Sequence, residues 1–248
     1  MSQFLFITDL DDTLVGDDAA MAQLNERLSQ HRQQHGTKIV YSTGRSPTLY
    51  QQLTQEKPLL EPDAVVLGVG TMIFHNGSPE PDATWQARLR QHWDRDRILA
   101  TVAHFADLEL QPESEQNEFK ASYFLYETVA TEVMTELQTN LQQQGLEVNL
   151  VYSGGKHLDI LPKAANKGFA LAFLQEQWGF ERHHTVACGD SGNDLSMFEI
   201  NRSRGIIVGN AMTELRQWHE ANPSSDRYLA TQHHAAGVLE GLQYFELL

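Results

Sequence analysis

Asp9-Leu10-Asp11-Asp12-Thr13 packs three carboxylates and a hydroxyl into five consecutive residues. At about 4 Å and an effective dielectric near 20, each like-charge pair costs roughly 4 kcal/mol, so such crowding calls for a cation or a shared proton. Three further polar clusters recur along the chain: Ser42-Thr43-Gly44-Arg45, Asn166-Lys167-Gly168 and Gly189-Asp190-Ser191-Gly192-Asn193-Asp194. Carboxylates suit a hard divalent cation or nucleophilic attack. A hydroxyl, a glycine amide and a lysine suit an anion such as phosphate. The first two clusters alone also have a plainer explanation, since Asp12 or Thr13, and Thr43, each also fit an ordinary helix N-cap. Lys167 is harder to dismiss: a lysine opening a helix opposes the macrodipole unless an anion stands between them.

The elements that must position these groups are legible as short apolar runs. Phe4-Leu5-Phe6-Ile7 lacks the period-2 alternation of a half-exposed strand, which predicts a strand covered on both faces. Lys38-Ile39-Val40-Tyr41, Ala64-Val65-Val66-Leu67, Thr185-Val186-Ala187-Cys188 and Gly205-Ile206-Ile207-Val208 are further short strands. Met21, Leu24 and Leu28 mark the first crossover helix that parallel strands require. In open α/β sheets ligands bind just beyond the carboxyl ends of the strands, where three of the four clusters fall. Gly68-Val69-Gly70-Thr71 lacks the third glycine and the following helix of a dinucleotide fingerprint, so a tight turn into a hairpin at Met72-Ile73-Phe74 is expected.

Near residue 80 the pattern changes. Trp85, Leu89 and Trp93, then Ile98, Val102 and Phe105, predict one or two amphipathic helices, and Val129, Val133, Leu137 and Leu141 predict another. Strand patterns lie from Leu108, at Ala121–Leu125 and on either side of Ser153-Gly154-Gly155. The expected architecture is α/β: a doubly wound, Rossmannoid parallel-sheet core in 1–80 and 161–248, with an inserted α+β cap domain over 81–160. The tryptophans fit core positions better than sugar platforms.

Composition bounds the function. The 248 residues carry 18 Lys plus Arg against 33 Asp plus Glu, a formal net charge of -15. Such a chain lacks the clustered cations that hold a nucleic-acid backbone, and an anionic substrate must be captured by local positive groups. No run approaches a membrane span. Cys188 is the one cysteine, so no intrachain disulfide forms, and with Met1-Ser2-Gln3 leading straight into the first strand a cytoplasmic protein is expected. Among eleven histidines, the pairs His183-His184 and His233-His234 lack the i, i+4 spacing of a zinc helix.

In order and spacing, the four clusters resemble the four signatures of the haloacid dehalogenase superfamily of phosphatases, and the insert resembles the cap of its sugar-phosphatase subgroup. The whole chain is similar to the sucrose-phosphatases of cyanobacterial and plant type. That likeness continues through Glu115-Gln116-Asn117-Glu118-Phe119-Lys120, Ser153-Gly154-Gly155-Lys156-His157-Leu158-Asp159 and Ala236-Gly237-Val238. The resemblance implies Asp9 as nucleophile and Asp11 as general acid, later base. It implies one Mg²⁺ on Asp9, the backbone carbonyl of Asp11 and Asp190, with Asp194 holding a metal-bound water. Thr43, the Gly44 amide, Lys167 and Asn193 are the implied phosphate ligands. On the cap, Glu115, Gln116, Asn117, Lys120, Lys156 and Asp159 are expected to meet sugar hydroxyls, although each singly also fits a solvated surface. The implied reaction is hydrolysis of sucrose-6-phosphate to sucrose and phosphate, the last step of sucrose synthesis. Alternatives are another sugar phosphate (mannosyl-phosphoglycerate, trehalose phosphate or a hexose phosphate) or a non-catalytic module docked on a sucrose-phosphate synthase. Such a module could lose the nucleophile or the acid, and this chain keeps both.

Overall fold

The computed structural model describes residues 2–248. The chain opens with β1 (Leu5–Thr8), α1 (Asp18–His35), β2 (Lys38–Ser42), α2 (Pro47–Glu56), β3 (Ala64–Leu67) and β4 (Met72–His75). Next come α3 (Ala83–Leu89), α4 (Arg95–Val102), β5 (Glu109–Leu110), β6 (Ala121–Phe124), α5 (Glu127–Gln143), β7 (Val148–Ser153) and β8 (His157–Pro162). The last part holds α6 (Lys167–Trp178), β9 (Thr185–Gly189), α7 (Leu195–Glu199), β10 (Arg204–Ile207), α8 (Thr213–Ala221), β11 (Arg227–Leu229) and α9 (His234–Tyr244).

Seven strands form one sheet in the order β11-β10-β9-β1-β2-β3-β4, parallel except for β4, which returns from β3 as a hairpin. The continuous apolar run of β1 is explained by its two coverings. Phe4 and Phe6 pack with Met21, Leu24 and Leu28 of α1 and with Val238 and Leu242 of α9. Leu5 and Ile7 point the other way, toward Trp85 and Leu89 of α3, Ala170, Leu171 and Leu174 of α6, and Leu215 of α8. Strand order reverses direction at β1, between β9 on one side and β2 on the other, which opens a crevice at its carboxyl end. Thr8 stands level with Tyr41 of β2 and Cys188 of β9, so the polar segments that follow these three strands emerge together.

A second, antiparallel sheet, β5-β6-β8-β7, lies over that end. Its residues alternate. Ala121, Tyr123, Leu158 and Ile160 pack with Ile98 and Val102 of α4 and Val133, Leu137 and Leu141 of α5. Their neighbours Ser122, Phe124, His157 and Asp159 therefore face the opposite way, toward the crevice. The cap therefore buries one apolar face in its own helices and turns the other to the core.

Trp85 joins the layers: it is 1% exposed, its indole N–H donates to the Gly70 carbonyl at 3.0 Å, and its ring meets Phe173 at 5.2 Å. Trp85→Phe keeps an aromatic ring, though a smaller one, and loses the bond, so about 1 kcal/mol of stability is expected to go with the bond and more with the lost volume. Trp85→Ala is expected to cost roughly 3–5 kcal/mol. Urea unfolding of both variants checks this; wild-type stability in Trp85→Phe would remove the hydrogen bond from the account, and equal losses in the two would remove the ring packing.

Candidate active site

The four polar clusters converge at the carboxyl edge of the sheet. Asp9 leaves β1 with its amide donating to Cys188 O at 3.0 Å, and it is 4% exposed. Thr43 follows β2, its amide tied to Val66 O and its hydroxyl accepting from the Arg45 amide at 3.1 Å. Lys167 begins α6, which Asn166 caps by accepting from the Phe169 amide. The lysine is wholly buried, and its Nζ donates to Asp9 Oδ1 at 2.5 Å and Asp194 Oδ1 at 2.6 Å. Two carboxylates thus supply the anions that a lysine at a helix start requires.

Asp194 braces the loop after β9. Its Oδ2 accepts from the amides of Asp190 and Ser191 at 2.9 and 3.1 Å, while Oδ1 serves Lys167. Asp190 is held by the Thr13 hydroxyl at 2.9 Å. Asp9, Asp190 and Asp194 offer oxygens within 4.8 Å of one another, all buried.

Electrostatics mark this trio as short of positive charge. Burial raises the Asp9 carboxyl to about 7, although Lys167 pulls it back down. Burial, then the charges of Asp194 and Asp9, raise Asp190 to about 9. Burial opposes the Lys167 charge too, but Asp194 and Asp9 outweigh it and the ammonium is held firmly charged. Clustered carboxylate oxygens are the donor set a hard divalent cation takes, its charge would favour the ionised forms that burial opposes at Asp9 and Asp190, and these two have the freer oxygens for it.

Above the carboxylates lies a cleft of about 600 Å³, floored by Asp9, Asp11, Thr43, Gly44, Asp190 and Asn193, and roofed by the cap. Of the cap residues expected from sequence, Glu115, Lys120 and Asp159 line it. Lys120 Nζ stands 3.5 Å from Asp159 Oδ1, which also accepts from Ser122 Oγ at 2.5 Å. Gln116, Asn117 and Lys156 are engaged elsewhere. Gln116 bonds the backbone of Gln111 and Ser122, Asn117 reaches the Thr71 hydroxyl at 3.0 Å, and Lys156 is exposed beyond the lining.

The cleft also holds Arg45, Gln111, Ser114, Phe124, Ser153 and His157, which the sequence reading did not single out as site residues. Arg45 grips Asp11 with two arms, Nε to Oδ2 at 2.8 Å and Nη2 to Oδ1 at 2.7 Å. Strand alternation was the available signal for the cap residues: His157 lies two residues before Asp159, on the same face.

The raised carboxyls predict a pH dependence. A folded pKa above the unfolded 3.8 means that the folded state keeps protons the unfolded chain has released. The associated stability is full below about pH 4 and is lost as pH rises through about 7 for Asp9 and about 9 for Asp190. In chelator, the melting temperature is expected to fall across that window, and a divalent cation is expected to restore much of the loss. Calorimetric scans with and without the cation check this; a flat profile in chelator would contradict the charge deficit.

The Sucrose-6F-phosphate phosphohydrolase family model matches residues 2–246. Sucrose-phosphatase 1 of Nicotiana tabacum is 38% identical over 99% of this chain, and the chain spans 60% of that relative's length. Mannosylfructose-phosphate phosphatase of Agrobacterium fabrum is 35% identical over 98% of this chain and 97% of its own. The sucrose-phosphatase of Synechocystis sp. PCC6803, solved with sucrose and phosphate, superposes with a TM-score of 0.93 at 38% identity over 99% of each chain. With the signatures gathered at one sheet edge and the whole chain matched, this protein belongs to the Sucrose-6F-phosphate phosphohydrolase family, within the haloacid dehalogenase fold.

Proposed function

We propose that the protein is a Mg²⁺-dependent phosphatase that hydrolyses sucrose-6-phosphate to sucrose and phosphate. The observation that carries this is the buried Asp9, paired with Lys167 and opening onto a cleft of about 600 Å³ under the polar face of a cap. The similarity along the whole chain to a sucrose-phosphatase bound to sucrose and phosphate supports the substrate.

In this mechanism the Asp9 carboxylate attacks phosphorus, the bond to the sugar oxygen breaks, and an aspartyl-phosphate forms. Asp11 protonates the departing oxygen, then takes a proton from the water that attacks the aspartyl-phosphate and releases phosphate. Thr43, the Gly44 amide, Lys167 and Asn193 bind the phosphoryl oxygens, where charge lies in the transition state. Arg45 keeps Asp11 at the rim of the cleft through its two-armed grip. Asp9, the Asp11 carbonyl and Asp190 would hold Mg²⁺, with Asp194 supporting the group. When bound, the metal supplies the positive charge that lets an anionic phosphate meet an anionic nucleophile. Glu115, Lys120, Asp159 and His157 offer the donors and acceptors that sugar hydroxyls need.

A second reading, a mannosylfructose phosphate as substrate, is favoured by the Agrobacterium relative, which matches over nearly its full length. A purely docking role beside a sucrose-phosphate synthase has no use for Asp9 and Asp11 together, so turnover is favoured.

Phosphate release is to be measured from sucrose-6-phosphate, mannosylfructose phosphate and fructose-6-phosphate, with and without Mg²⁺. Sucrose-6-phosphate with Mg²⁺ is expected to be the best substrate; equal turnover of fructose-6-phosphate would sink the disaccharide assignment. Asp9→Asn is expected to abolish release while the fold persists. A wild-type rate in that variant would end the covalent mechanism.

A further inference from the structure

The loop after β1 is gripped from behind by residues from the far end of the chain. Asp12 adopts a left-handed backbone, φ 55, which is uncommon outside glycine. Its carbonyl oxygen accepts from Asn210 Nδ2 at 2.6 Å and lies 3.0 Å from His234 Nδ1. A carbonyl only accepts, so this contact is a hydrogen bond in the tautomer with the proton on Nδ1; Asn210 Nδ2 also stands 3.4 Å from that nitrogen, and at 2.6 Å the carbonyl is its shorter partner. His234 is itself left-handed, φ 49, and its amide donates to Asn210 Oδ1 at 2.8 Å. Gly16, φ 149, lies against the imidazole, and a Cβ there would run into the ring. Three residues with positive φ therefore meet at one contact, and such conformations persist only where the surroundings over-determine them.

The grip reaches the acidic cluster through one peptide. The oxygen held by Asn210 and His234 belongs to the Asp12–Thr13 peptide unit, and the buried Thr13 side chain donates to Asp190 Oδ1 at 2.9 Å. Displacing the carbonyl rotates the peptide, and with it the hydroxyl that orients Asp190. Neither Asn210 nor His234 lines the cleft, so neither meets the substrate.

We propose that Asn210 and His234 are positioning residues: they fix the Asp12–Thr13 peptide and, through the Thr13 hydroxyl, the carboxylate of Asp190. The proposal rests on the phosphatase reading above for its kinetic consequences, and on geometry alone for its effect on the loop. Because the effect passes through a cation-holding carboxylate rather than through sugar contacts, it falls on kcat and on Mg²⁺ activation, with KM for the sugar phosphate little changed.

The test compares Asn210→Ala, His234→Ala, His234→Asn and Gly16→Ala in the full chain. Steady-state phosphate release, Mg²⁺ titration, thermal melting and amide hydrogen exchange of the peptide covering residues 9–16 are measured. Asn210→Ala is expected to lower kcat about tenfold or more and raise the half-saturating Mg²⁺, with KM within about twofold. Exchange in 9–16 is expected to quicken while that of β2 and β3 stays as in the wild type. His234→Asn is expected to keep most of kcat, because its amide nitrogen takes the place of Nδ1 and asparagine tolerates the left-handed backbone. His234→Ala is expected to behave like Asn210→Ala. Gly16→Ala, which keeps Asn210 and pushes the His234 ring, with its Nδ1, off the Asp12 carbonyl, is expected to lower kcat in the same way and serves if Asn210→Ala fails to fold. Unchanged kcat and unchanged exchange in the folded variants would overturn the proposal. If the wild-type chain releases phosphate from no sugar phosphate, the substrate reading fails, and the exchange measurement alone decides the clamp.

Discussion

A single ammonium group, Lys167 Nζ, lies between two buried carboxylates that follow adjacent strands of the sheet, β1 and β9, far apart in the chain. Removing a charge from water costs several kcal/mol per ion, and taking one partner from such a set typically costs about 3–5 kcal/mol. The lysine is tolerated because Asp9 and Asp194 flank it, and their crowding is tolerated because of the lysine. This mutual dependence fixes where α6 starts relative to β1 and to the loop after β9. The parallel register that sets Thr8 beside Cys188 is the backbone counterpart of the same constraint.

Stability and chemistry pull against each other here. Asp9 is desolvated enough to resist ionisation, yet it is the carboxylate proposed to attack phosphorus. Lys167 offsets part of that deficit and the proposed cation the rest. Arg45 acts on the neighbouring acid in a different way, through a rigid fork that spans both oxygens of Asp11.

Much of the core was legible in the sequence, because its strands are buried on both faces and read as unbroken apolar runs. The four polar clusters could be placed at strand and helix ends for that reason. Elements with little apolar patterning escaped. In α2 only Leu53 is fully buried, and β11, Arg227–Leu229, is an edge strand of three half-buried residues. The roof of the cleft was harder still. Sequence proximity suggested Gln116, Asn117 and Lys156, but the first two satisfy nearby backbone and hydroxyl groups, while Phe124 and His157 reach the cleft by strand alternation. Arg45 stood within a recognised cluster, and only the fold brings it against Asp11.

The floor and the roof of the cleft are written in separate stretches of chain. Asp9, Thr43 and Asp190 follow strands of the parallel sheet and Lys167 opens α6 beside them, whereas Asp159 and His157 belong to, and Lys120 directly precedes, strands of a sheet whose own apolar face is sealed by α4 and α5. Drift in the upper stretch can therefore reshape what is admitted while the machinery beneath stays intact. One scaffold can thus carry different tastes over a shared cutting edge, and relatives named for two different sugar phosphates both match along this chain.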